Sequence, residues 1–313
     1  MGTFTFIAPW VAQDLIVLVI SLMLTVFIIK KEERPVAFLV EMFCFVFLNA
    51  AVYENLATVM GLYGYGKSVL MLFNVPITVP LAEYIVVYAG LRMASAMKLP
   101  TWVKPLFVGV IGMVYDFSLD PLSVKQVFSG VHEAAIGRWS WFPQAGDPQI
   151  FGIPVFNFTG WVLLCGLGTA FLLLGRYLYK KSGYKAWVGY LYPPVAMILA
   201  MIALVCPLSS FLLWLAPFSA RGSSSQWVML ALYFALQLVV YLFIWRGRMR
   251  TPLTFKDNWP IFYVLVGSHL INIAFTLIGG YYSILWLQAL TLAVGLLMLL
   301  PVYRAGLRLK QAA

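Results

Sequence analysis

Asp116 and Asp120 stand four residues apart in YDFSLDP, a spacing that stacks both carboxyls on one face of a helix. Two carboxyls that close in a low-dielectric setting do not ionise together, so one is expected to hold a proton at neutral pH and to serve as a Brønsted acid. Trp139 and Trp141 follow in GRWSW, and indole faces stabilise cations. Asn157 and Trp161 come next, where the sequence turns apolar again, and Tyr115 adjoins Asp116. Upstream, Glu54 and Glu83 supply two further carboxyls that could accept a proton. Together these residues pair proton donation with shelter for positive charge.

The elements that must position them are membrane spans. The chain is 63% hydrophobic and 10% charged, with a mean hydropathy of +0.91. A water-soluble domain of 313 residues cannot hide that much apolar surface, whereas a lipid-facing bundle has no need to. Apolar segments of spanning length fall near 11–29, 36–60, 69–97, 102–120, 154–175, 188–213, 226–245, 259–278 and 282–303. The expectation is an all-α, polytopic transmembrane helix bundle of nine spans, or eight if the last two merge across Gly279–Gly280. No segment alternates with period two over strand length, which argues against a membrane barrel.

Charge orients the bundle. Seventeen of the 21 basic residues fall in alternate connections, from Lys30, Lys31 and Arg34 to Arg304, Arg308 and Lys310. Only Lys67, Lys125, Arg138 and Arg221 fall on the other side. By the positive-inside rule the N-terminus is outside and the C-terminus cytoplasmic, in a cell membrane. The net charge of +10 is therefore a topology signal and not a nucleic-acid footprint. The N-terminus lacks a signal-peptide pattern, so the first span is expected to be retained. Residues 1–313 read as one domain, with residues 121–153 as an extracytoplasmic Trp-rich loop covering the site. Glu54, Asp116, Asp120, the loop, Asn157 and Trp161 then converge on one half of the membrane.

Each feature has a plainer reading. Glu83 follows Pro76 and Pro80 on one helical face, and the prolines are expected to kink the helix and open a cavity; the alternative is a Glu paired structurally with another span. Asp120, preceding Pro121, could end its helix at the water interface. Tyr63 and Tyr65 read as interfacial belt residues, and Trp139 and Trp141 could be the same. Asp14 and Glu41 look like lone acids, snorkelling or structurally paired. Cys44, Cys165 and Cys206 lack paired spacing, and His132 and His269 sit in no ligand pattern, so neither a disulfide nor a metal site is expected. No phosphate-binding or nucleophile-elbow motif occurs, so no cofactor is expected.

Five pieces taken in order resemble an integral-membrane carotenoid-biosynthesis family that includes bisanhydrobacterioruberin hydratases and gamma-carotene and lycopene 1,2-hydratases. They are the Glu54 segment with its Gly/Tyr tail, VPITVPLAEY around Glu83, DFSLDP at 116–121, GRWSW at 137–141 and FGIPVFNFTGW at 151–161. They cover roughly the first half of the chain. The resemblance implies a hydro-lyase that adds water across the terminal double bond of an acyclic isoprenoid, without a cofactor. Its partners would be a long carotenoid substrate, membrane lipid and other enzymes of the carotenoid pathway.

The residues suit that reaction. An unactivated alkene needs a strong, dry acid to form a tertiary cation, aromatic faces to shelter it and a carboxylate to activate water. Under that reading Asp116 or Asp120 donates the proton, and Glu83 or Glu54 positions and deprotonates water. Trp139, Trp141 and Tyr115 line the cation, Asn157 holds water, and Trp161 is a further substrate-binding residue. Two other readings stay open: an end-group cyclase, which needs the same acid but excludes water, and a proton-coupled isoprenoid transporter without chemistry.

Overall fold

The computed structural model describes residues 8–128, 136–214, 224–240 and 254–312. Helices dominate it, because a backbone in lipid must satisfy its N–H and C=O groups within its own segment. In chain order they are α1 (Ala8–Lys31), α2 (Pro35–Cys44), α3 (Ala51–Val59), α4 (Thr78–Ala96), α5 (Lys104–Lys125), α6 (Val155–Lys181), α7 (Ala186–Val205), α8 (Pro207–Trp214), α9 (Ser225–Val239), α10 (Phe255–Phe262), α11 (Ser268–Ile278) and α12 (Leu285–Ala312). Strands are only two or three residues long. Among the described residues seven stretches are long and apolar enough to cross a membrane, and the chain is a multi-pass membrane protein.

Proline and charge mark the helix ends. α2 and α5 carry proline in their first turn, where the missing N–H has no intrahelical acceptor to lose. α1 ends on Lys30–Lys31 and α6 on Lys180–Lys181, cations that complement the negative end of the helix dipole. A π-helical segment, Phe45–Ala50, joins α2 to α3 and shifts the helical register just ahead of Glu54. α11 and α12 are separate helices joined through Gly279 and Gly280, the latter at φ +70°.

α5 is the axis of the bundle: 89% of its apolar window is buried, against 33% for α1. It lies against α6 at backbone distance. A Cβ at Gly109 would meet the Val162 carbonyl oxygen at 2.5 Å, and one at Gly112 would meet Cys165 Sγ at 2.9 Å. Small residues are what let membrane helices approach this closely. α4 packs beside them with 15 of its 19 residues buried. A helix walled mostly by protein can carry Glu83 without presenting it to lipid.

Three expectations are corrected. The apolar run 69–97 does not enter its helix until Thr78; before it, Met71–Leu72 and Val75–Pro76 pair as a small hairpin. Pro76 is therefore outside the helix and Pro80 in its first turn, where no carbonyl is freed and no kink results. Nor does Asp120 end a helix at water: α5 continues through Pro121 to Lys125, and Asp120 is buried. The loop expected from residue 121 begins at Gln126. Third, the segment 188–213 is interrupted, with α7 stopping at Val205, Cys206 extended and α8 restarting at Pro207.

Candidate active site

The site lies where α3, α5 and α6 meet a two-stranded cap. Tyr63–Tyr65 pairs antiparallel with Trp139–Trp141, setting Tyr63 opposite Trp141 and Tyr65 opposite Trp139. Side chains two apart on a strand share a face, so all four rings project together. The Tyr63 and Trp141 ring centroids are 4.4 Å apart, and those of Tyr65 and Trp139 5.6 Å apart.

Beneath the rings sit two acid pairs. Asp116 and Asp120, one turn apart on α5, are joined by Asn157 in the first turn of α6: its Nδ2 donates to Asp116 Oδ2 and Asp120 Oδ2, each at 2.6 Å. Glu54 on α3 accepts from Tyr63 Oη at 2.7 Å and Tyr65 Oη at 2.5 Å through the same oxygen. Glu83, fully buried on α4, lies within electrostatic reach of Glu54. Among the described residues, none of the ion pairs involves these four acids. Hydrogen bonds from an amide and two phenols, and not a buried cation, hold Asp116, Asp120 and Glu54, while both Glu83 carboxyl oxygens are buried without a hydrogen-bond partner.

A cavity of about 310 Å³, counting its mouth, is lined by Glu54, Tyr63, Tyr65, Val79, Asp120, Trp139, Trp141, Asn157 and Trp161. Each acid pair thus has a front member on the cavity, Asp120 or Glu54, and a back member behind it, Asp116 or Glu83. Both back members are fully buried. The structure brings together six of the nine candidate residues on one wall. Asp116 reaches the cavity through Asn157, and Glu83 through Glu54. Tyr115 lies on a neighbouring cavity, its ring centroid 6.0 Å from that of Trp161.

Tyr63 and Tyr65 are the residues that sequence reasoning passed over. The usable signal was the YGY alternation followed by Gly66, which puts both phenols on one side of a strand. Gly66 is needed there, since a Cβ would meet the Gly137 carbonyl oxygen at 2.7 Å. Arg138 was also missed. Buried immediately before the Trp139–Trp141 strand, it donates to Asp14 Oδ1 at 2.8 Å and Gln13 Oε1 at 2.6 Å. Ser68 donates to the other Asp14 oxygen, and Gln126 Nε2 reaches Gln13 Oε1 at 2.8 Å. This network ties α1 to the cap that carries Trp139 and Trp141.

The other singled-out residues fall elsewhere. Glu41, fully buried, is paired with Arg176 Nε at 2.7 Å and with the Tyr192 hydroxyl, a structural ion pair rather than a snorkelling acid. His269 is buried on α11, while His132 and Glu133 lie outside the described residues. Among the described residues no group of three His, Cys, Asp or Glu could hold a metal ion.

With this geometry in view, a protein-family model described as carotenoid biosynthesis protein matches residues 11–221, which include every residue of the cavity. No curated protein and no solved structure matches the chain.

Proposed function

The chain belongs to the carotenoid biosynthesis protein family, and from that premise we propose that it is a carotenoid hydratase acting on the acyclic end of a long polyene. The observation that carries this reading is the bridged pair Asp116–Asn157–Asp120 in a cavity roofed by two tyrosines and two tryptophans. A carboxyl–carboxylate pair sharing one proton is a Brønsted acid, and Asp120 is the member that can touch an alkene. Its O–H proton goes to the less substituted carbon of the terminal double bond, leaving a tertiary cation on the other. The Trp139, Trp141 and Trp161 faces shelter that cation. Water adds its oxygen to the cationic carbon and yields its extra proton to Glu54, backed by Glu83. Returning a proton to the aspartate pair closes the cycle, with one water added and no change of oxidation state.

Polar atoms support water capture over ring closure. The Tyr63 and Tyr65 hydroxyl oxygens, whose protons go to Glu54, can accept from a water at the cavity wall. The charge bias of the connections supports a cell-membrane protein with its N-terminus outside, so that the cavity opens in the outer half. Expression in lycopene-producing bacterial cells tests the reading. The expected pigment is heavier by one or two waters with an unchanged chromophore. A product of unchanged mass with a blue-shifted spectrum would point to a cyclase instead.

A further inference from the structure

A second, larger void of about 520 Å³, counting its mouth, adjoins the acid cavity. The two share Val79, Trp139 and Trp161 as a common wall, so side chains and not backbone elements separate them. On its far side the void is bordered by Ile16 and Val17 of α1 and Ile271 of α11, all partly exposed. At the opposite end of the bundle α1 is pinned to α10, which leads through the π-helical segment Tyr263–Gly267 into α11. Lys31 Nζ lies 2.6 Å from Asp257 Oδ1, and the Phe27 and Trp259 ring centroids are 6.0 Å apart. Val17 lies 14 positions before Lys31 within α1, roughly 20 Å along the helix at 1.5 Å per residue, and Ile271 lies 14 positions after Asp257. Above them, the Gln13–Asp14–Arg138 network clamps α1 to the cap. α1 is thus held above and below, and between the clamps the void lies between it and α11.

From this geometry we infer that the gap between α1 and α11 is a lateral window through which a lipid-dissolved polyene reaches the acids. The inference rests on the hydratase reading for the chemistry at the far end, but names what that reading leaves out: the route and the seat of the hydrocarbon chain. The occupant is a long, flat, unsaturated isoprenoid. It dissolves in the membrane and not in water, so it must arrive from the side. Leu15, Val19 and Leu270, near neighbours in the chain of the lining residues Ile16, Val17 and Ile271, are exposed and give α1 and α11 an apolar outer face. Among its lining residues are the two indoles of Trp139 and Trp161, shared with the acid cavity, against which a conjugated chain can stack on its way to Asp120. Tyr263 and Ile271, which line the void, lie beyond the residues of the family match.

The test closes the window reversibly. Val17→Cys and Ile271→Cys are introduced into a Cys206→Ser background, Cys44 and Cys165 being buried, and joined with a bifunctional thiol reagent containing a reducible disulfide. Phe27→Cys with Trp259→Cys, joined in the same way at the pinned end, is the control. Two readouts are taken with lycopene: hydrated product, and the visible-band circular dichroism that an achiral polyene acquires only in a chiral site. Cross-linking at the window is expected to lower both at least tenfold, with recovery on reduction, and the control cross-link to change neither. Full dichroism and turnover in the window-linked protein would overturn the route. No dichroism with the unlinked protein would overturn the occupant. Dichroism that the window cross-link abolishes, without any hydrated product, would leave the window standing and remove the hydratase reading.

Discussion

The Asn157 amide nitrogen lies 2.6 Å from Asp120 Oδ2, and the same nitrogen reaches Asp116 Oδ2 at the same distance. One side chain from α6 therefore sets the spacing and orientation of two acids on α5. α5 and α6 can be this close because Gly109 and Gly112 carry no side chain between them. Helix packing, the amide bridge and the acid pair are one construction.

Removing the bridge should damage catalysis more than folding. Asn157→Ala leaves Asp120 free to turn away from the cavity and from Asp116. Hydrogen bonds to a charged group are worth about 1.5–3 kcal/mol, which corresponds to a loss of roughly 10- to 100-fold in rate. Hydrated pigment per unit of membrane-inserted protein measures it, and an unchanged yield would contradict the bridging role.

The front acids should matter through chemistry. Asp120→Asn and Glu54→Gln keep shape and remove the proton donor and acceptor, so each is expected to cost on the order of 10²–10⁴-fold, the usual worth of general acid–base catalysis. The back-member variants Asp116→Asn and Glu83→Gln should also remove most activity while leaving expression intact. Activity retained in both back variants would end the paired-acid account.

Asp14 and Arg138 form a pair with side chains only 2% and 8% exposed. Breaking a buried pair from one side strands the other charge, at about 3–5 kcal/mol. Asp14→Asn or Arg138→Met should therefore lower the thermal midpoint of the detergent-solubilised protein strongly. The double variant Asp14→Leu with Arg138→Met should recover part of that loss, because no charge is left unpaired. A double variant as unstable as the worse single one would contradict the pairing.

Gly109→Ala probes the α5–α6 contact. Its Cβ would sit 2.5 Å from a backbone oxygen, which cannot rotate away, so the helices must separate. Stability and activity should fall together, and a variant with wild-type midpoint and wild-type yield would show that the contact is looser than described.

The parts of this site legible in the sequence are those set by local periodicity. Asp116 and Asp120 share a face because a helix repeats every 3.6 residues, and that needs no knowledge of the rest of the chain. The long-range partners were not legible. Asp14 looked solitary because Arg138 is 124 residues away, and nothing in the composition links an acid in the first helix to a cap strand. Tyr63 and Tyr65 looked like an interfacial belt because their function depends on a strand pairing with Trp139 and Trp141 that local pattern cannot reveal. Pro76 reads as helical because the run from Val69 is apolar but for Asn74; the hairpin that holds it turns at Phe73, at φ 56°. Residues 69–77 could enter a helix by composition, and the cap uses them otherwise.

The central claim is that water is added to a polyene end by this cavity. The most direct measurement is the mass of the pigment extracted from lycopene-producing cells expressing the protein, grown in parallel in ordinary water and in heavy-oxygen water. The account predicts a product heavier by one or two waters, carrying the heavy oxygen in the second culture, and absent from cells expressing Asp120→Asn. Unmodified lycopene from cells with membrane-inserted wild-type protein, or a new product of unchanged mass, would contradict it.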